Sequence, residues 1–134
     1  MPDEKWIKSE ILPELYGPYK IKSVVCDPRG LVVLLNGARE ERSLVQLTFY
    51  AHIFSYRRSL LSVRKNTEGF PLSYIMKNTL FRVENSSYVQ KINQESCNIF
   101  DGSKLQHFSI VDQNVLVEVI TTQAPIYKLL QHAE

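Results

Sequence analysis

Apolar and polar side chains alternate with period two along much of this chain, the signature of strands that turn one face to a core and the other away from it. Two β-rich runs, YKIKSVVC and LVVLLNG, flank Asp27-Pro28-Arg29-Gly30. Asp, Pro and Gly there hold the first, second and fourth positions that a type I turn favours, so a hairpin is predicted. Asn36-Gly37 marks a second turn, since both residues tolerate positive φ, and the charged Arg39-Glu40-Glu41-Arg42 lengthens that loop.

Residues 43–59, SLVQLTFYAHIFSYRRS, read as one continuous third strand. Val45, Leu47, Phe49, Ala51 and Ile53 share a face, and burying each of the four larger ones contributes about 1.5–3 kcal/mol. Tyr50, His52, Phe54 and Tyr56 share the other face, which is either the floor for a docked helix or an open surface.

Helical spacing occurs twice. Trp6, Ile7, Ile11 and Leu15 follow Asp3 and Glu4, whose charge suits a helix start, and Pro13 ends the element, predicting a short amphipathic helix over 3–12. Asn85-Ser86-Ser87 supplies capping side chains for a second helix over 87–96, with Tyr88, Val89 and Ile92 on one side. Leu80, Phe81 and Val83 predict a strand before it, and residues 62–78 have no sustained period and read as a loop. Near the end of the chain, Asp112-Gln113-Asn114 separates two strands of a hairpin. Its buried rows are Phe108 and Ile110 on one arm and Val115, Val117 and Val119 on the other. Pro125 and IYKLLQH allow a short terminal segment. Every tight connection is antiparallel, so the expected fold is α+β: a single antiparallel sheet of about five to six strands with two short helices packed on one face.

Composition adds limits to this picture. With 134 residues, 44% hydrophobic and 22% charged, the chain reads as a single domain over 1–134 that can build one core. The longest apolar run, residues 31–35, is far shorter than a membrane-spanning helix, and the acidic amino terminus lacks the pattern of a secretory signal. A cytoplasmic protein without membrane contact is expected. Two cysteines, Cys26 and Cys97, exclude a disulfide framework and read as partly buried reduced thiols. The net charge of +2 identifies no partner, but its distribution is uneven: residues 1–67 hold 11 Lys/Arg against 7 Asp/Glu, and residues 68–134 hold 5 against 7. Arg57, Arg58, Arg64 and Lys65 supply much of the positive excess.

Catalytic chemistry finds little support. Cys97, Asp101 and His107 are the residue types of a thiol nucleophile, its base and an orienting carboxylate. Cys97, however, is placed at a helix carboxyl terminus, where the dipole disfavours thiolate. His52, His107 and His132 have no metal-ligand spacing, and His52 and His107 read as partly exposed sheet histidines, so no metal is expected. Phosphate loops and dinucleotide fingerprints are absent, and no cofactor is expected. Two binding readings survive. Tyr50, Phe54 and Tyr56 beside Arg57 and Arg58 match a stacking platform for nucleic acid, though net charge is modest. The same residues, extended by Arg64 and Lys65, match a protein-binding surface, because Tyr and Arg dominate hot spots.

SYRRS, ENSSYVQKINQES and QHFSIVDQNVLVEVIT, in that order, resemble a small, largely uncharacterised group of bacterial immunity-type proteins. In that group a Tyr-Arg strand end precedes an Asn-Ser-Tyr helix start and a His-aromatic hairpin. The matching residues are Tyr56-Arg57, Asn85-Ser86-Ser87-Tyr88 with one extra serine, and His107-Phe108, within residues 43–125. Ser59, after a second arginine, departs from the charged residue usual there. The resemblance implies stoichiometric neutralisation of a toxin and carries over no catalytic residue. The expected function is a non-catalytic protein-binding domain, with nucleic-acid binding and a small thiol enzyme as alternatives.

Overall fold

The computed structural model describes residues 4–10, 19–28, 30–37, 44–50, 53–61, 79–95, 105–112 and 114–131. Among these residues nine strands and one helix follow in order: β1 (Lys5–Lys8), β2 (Tyr19–Asp27), β3 (Gly30–Gly37), β4 (Leu44–Phe49), β5 (Ile53–Leu60), β6 (Leu80–Glu84), α1 (Ser87–Glu95), β7 (Gln106–Val111), β8 (Val115–Thr121) and β9 (Ile126–Gln131). They form two antiparallel sheets, one ordered β1-β6-β7-β8-β5 and the other β2-β3-β4-β9.

This corrects the expected α+β fold with a single sheet and two helices: among the described residues the protein is mostly β, with two sheets and one short helix. The sheets share one core. Leu31, Val33, Leu35, Val45, Leu47 and Phe49 come from one side and Leu80, Phe108, Ile110, Val117 and Val119 from the other. Both sheets therefore present period-two apolar rows to each other, as sandwiches do, and the rows expected on the β7–β8 hairpin are among them.

Three local corrections explain the difference. The stretch read as one strand over 43–59 is two strands in different sheets, β4 and β5, with the crossover after Phe49. A continuous period cannot reveal a change of sheet, because Phe49 and Ile53 pack on the same core from opposite sides. The segment read as a helix over 3–12 contains β1, whose Trp6 is buried and pairs with Val83. Its other residues are at least partly exposed, so four residues with one buried ring fit either period. Asn36-Gly37, read as a turn, closes β3 instead, with Gly37 opposite Tyr19 and Asn36 opposite Leu44. The expected loop 62–78 lies outside the described residues.

Side chains at the hairpins lock one sheet to the other. At β7–β8, Asp112 Oδ1 accepts the N–H groups of Asn114 and Val115, each at 2.7 Å. Its Oδ2 accepts Ile21 N–H from the facing sheet at 3.0 Å. On β2 a bulge at Lys22 lets Ile21 and Val24, three positions apart, both pack on the core.

Candidate functional site

β8 lies between β7 and β5 and is covered on both faces, so Leu116, Glu118 and Ile120 are as deeply buried as the core-facing Val117 and Val119. Helix α1 packs on the second face, where Tyr88, Val89 and Ile92 meet Leu105 and Ile120. The capping signal in Asn85-Ser86-Ser87 thus predicted the helix to within one residue. Strand register aligns Phe81, Ser109, Glu118 and Arg57 in one row of this face, and Val83, His107, Ile120 and Ser55 in the next.

A polar cluster forms in this apolar setting. Arg57 Nε–H donates to Glu118 Oε1 at 2.9 Å, and His107 Nε2 lies 2.8 Å from Glu118 Oε2. Glu118 is 0% exposed and His107 1%. Ser86 Oγ is 2.7 Å from His107 Nδ1 and accepts Val89 N–H at 3.0 Å, which makes Ser86 the cap of α1. Val89 N–H and the imidazole thus share Ser86 Oγ, and Glu118 Oε2 meets Nε2 as a close approach rather than an aligned hydrogen bond. Ser109 Oγ stands 3.1 Å from the same Nε2. The one carboxylate is balanced by one guanidinium, the condition under which a buried charge is tolerated.

Arg57 does further work at the rim. Its guanidinium carbon sits 4.0 Å from the centre of the Tyr88 ring, and Ser55 hydrogen-bonds the Tyr88 hydroxyl. The cluster therefore ties β5, β7 and β8 to α1. Beside it, Arg82, Glu84, Ser86, Gln90, Leu105 and Gln106 line an open cleft of about 480 Å³. Ser86, His107 and Glu118 are the types of a nucleophile relay. In this geometry the serine is the helix cap, and the imidazole and carboxylate are sealed from solvent. Replacing Ser86 with alanine should lower stability by about 1–2 kcal/mol in a urea titration, since it removes the cap and a partner of His107; a loss below about 0.3 kcal/mol would remove the cap assignment.

The residues expected to form a binding surface separate. Tyr50 is exposed just after β4, whereas Tyr56, Arg57 and Arg58 lie on β5. Register places Tyr56, Arg58 and Leu60 opposite Val119, Val117 and Val115, on the side that faces the other sheet. Arg57 points the opposite way, to Glu118 and α1. Tyr56 is 47% exposed and Leu60 60%, and Arg58 is exposed between them, because among the described residues β5 is the last strand of its sheet. The helix expected as one cover for the aromatic row lies on the other face. Phe54 is the extra residue of a bulge between Ile53 and Ser55, and Arg64 and Lys65 lie outside the described residues.

Two further expectations are corrected. His107, read as a partly exposed sheet histidine, is buried, because α1 and Trp6 close over it; the Tyr88 and His107 ring centres are 5.6 Å apart. Cys26, read as partly buried, is exposed on β2. Cys97, Asp101, His52 and His132 lie outside the described residues. Sequence reasoning passed over Glu118, although a lone carboxylate in VLVEVIT, apolar on both parities, is the mark of a buried charge with a partner.

Among the described residues no group of three or more His, Cys, Asp or Glu is placed to hold a metal, and no helix is long and apolar enough to cross a membrane. No family model, curated protein or solved structure matches the chain, so the polar cluster under α1 and the exposed row of β5 stand on their own geometry.

Proposed function

We propose that this protein is a protein-binding module that engages its partner through the exposed row of β5. The observation that carries the reading is Tyr56, Arg58 and Leu60, large side chains standing open on one face of an edge strand. An aromatic ring, a guanidinium and an aliphatic side chain at period two combine contact area with directional hydrogen bonding, the composition of binding hot spots. Arg57 holds the strand from behind by its bond to Glu118, which presents the row on a fixed backbone. Neutralisation of a bacterial toxin is the role that fits the resemblance of SYRRS and its companion segments, and an exposed free thiol at Cys26 fits a reducing, cytoplasmic setting.

The nucleic-acid alternative gains nothing from this arrangement. Its platform needed Tyr50, Phe54, Tyr56, Arg57 and Arg58 together. Tyr50 follows a strand of the other sheet, and the charge of Arg57 is taken by Glu118.

The test is co-expression with the product of the adjacent gene, followed by calorimetric titration of the purified pair. A one-to-one complex is expected. Arg58→Glu should weaken it about thirtyfold and Tyr56→Ala about tenfold or more, with the fold unchanged by circular dichroism. Unchanged affinity in both variants would remove β5 as the binding face, and steeply salt-dependent binding to RNA in place of a protein would overturn the reading.

A further inference from the structure

Resting on the binding role just proposed, we infer that β5 takes its partner as an added strand: an extended segment of another protein that sets a carboxylate against Arg58 between two apolar side chains. The backbone carries this. Leu61 N–H donates to Asn114 O at 2.9 Å, and the same register runs on through Ser59 opposite Leu116 and Arg57 opposite Glu118. In an antiparallel ladder, residues alternate between those bonded to the neighbouring strand and those whose N–H and C=O point away from it. Leu61, Ser59 and Arg57 therefore face β8, and Leu60, Arg58 and Tyr56 turn their backbone groups off the edge of the sheet.

These are the same three residues whose side chains are exposed. Among the described residues no strand lies beyond β5, and no hydrogen bond reaches its outward groups. Such a row is a ready template for strand addition.

The other edges are less open. On β2 the N–H groups of Tyr19 and Ile21 are taken by Thr79 Oγ1 and Asp112 Oδ2. β1 has only four residues, and β9 is interrupted by a bulge at Leu130. The bulge of β5 falls at Phe54, before the open row, and leaves Tyr56 to Leu60 in regular register.

Charge selects the occupant. Arg57 is neutralised by Glu118, and the row beside Arg58 is Val115, Val117 and Val119, so no described carboxylate meets Arg58. A second copy paired symmetrically about Arg58 would oppose arginine to arginine, which is destabilising. A foreign strand with glutamate or aspartate at that position, and apolar residues two places to either side, completes the face.

The test uses the full chain, ¹⁵N-labelled, with the capped peptide Thr-Val-Thr-Glu-Thr-Val-Thr as probe. In the free protein the amides of Tyr56, Arg58 and Leu60 should exchange with deuterium at least about tenfold faster than those of Arg57, Ser59 and Leu61. Millimolar probe should slow and shift those three. A lysine-centred probe should bind at least about tenfold more weakly, and a probe N-methylated at alternate amides should not bind.

Uniform protection of these amides in the free chain, or shifts elsewhere, overturns strand addition. So does binding that ignores N-methylation, although the binding role would stand if Arg58→Glu still weakened the protein complex. Concentration-dependent dimerisation that protects the same three amides replaces the foreign segment with a second copy. Peptide pairing at β5 together with an Arg58→Glu variant that keeps full affinity for the protein partner removes the binding role at this face and leaves the edge chemistry intact.

Discussion

Replacing Glu118 by alanine lowers stability by about 3–5 kcal/mol, the cost of removing one member of a buried charged pair. The carboxylate accepts Arg57 Nε–H and stands beside His107 Nε2 at 0% exposure, so no water replaces it. The loss falls unequally on its two partners. Arg57, with 38% of its side chain exposed, can turn to solvent, whereas His107 cannot and keeps only Ser109 Oγ near Nε2.

Glutamine at 118 preserves the volume but removes the charge that pairs with Arg57, and should cost about 2–3 kcal/mol. Pairing Glu118→Leu with Arg57→Met should cost clearly less than the sum of the single changes, because no charge is then stranded. Urea titrations of these five variants, the two single changes of the pair included, decide the matter. Against a total of about 5–15 kcal/mol for a domain of this size, a Glu118→Ala loss below about 1 kcal/mol would show that the cluster is not an integral part of the fold.

Gly30→Ala is expected to cost about 3 kcal/mol and to lower Tm by roughly 10 °C. Gly30 has φ +127°, which side chains rarely adopt. A Cβ there would also lie 2.1 Å from the carbonyl oxygen of Phe49, on the adjacent part of the same sheet. That oxygen belongs to the backbone and cannot swing aside, so β3 and β4 would have to separate where Leu31 pairs with Phe49. A calorimetric Tm within 2 °C of wild type would contradict this account. The glycine expected from turn chemistry alone proves necessary for two reasons, of which only the turn was visible in Asp-Pro-Arg-Gly.

Elements whose signals are local were legible. The hairpins at Asp27–Gly30 and Asp112–Asn114, the strand at Leu80, the helix at Ser87 and the buried rows of β7 and β8 all follow from turn, cap and period. What failed was each inference that needed a neighbour. Trp6 is buried by β6, which no spacing within residues 3–12 announces. β4 and β5 share an unbroken alternation, so their division between sheets was hidden. His107 looked like an ordinary sheet histidine until α1 closed over it.

The candidate site divides in the same way. Tyr56 and Arg58 could be named from composition, but Arg57 was grouped with them although strand geometry turns it to the opposite face. One residue of displacement along a strand reverses the direction of a side chain. Glu118 carries the polar cluster, and its partners lie 61 and 11 positions away, at Arg57 and His107.

Period, turn chemistry and capping are written in runs of a few residues, and through them the chain alone specified most of its strands, its helix and the apolar rows that had to be buried. Which rows met, which strand ended at an open edge, and which charge found its counterion depended on contacts between distant segments, and the folded sandwich settled those. A strand's pattern states that a face must be covered, and packing between sheets decides by what.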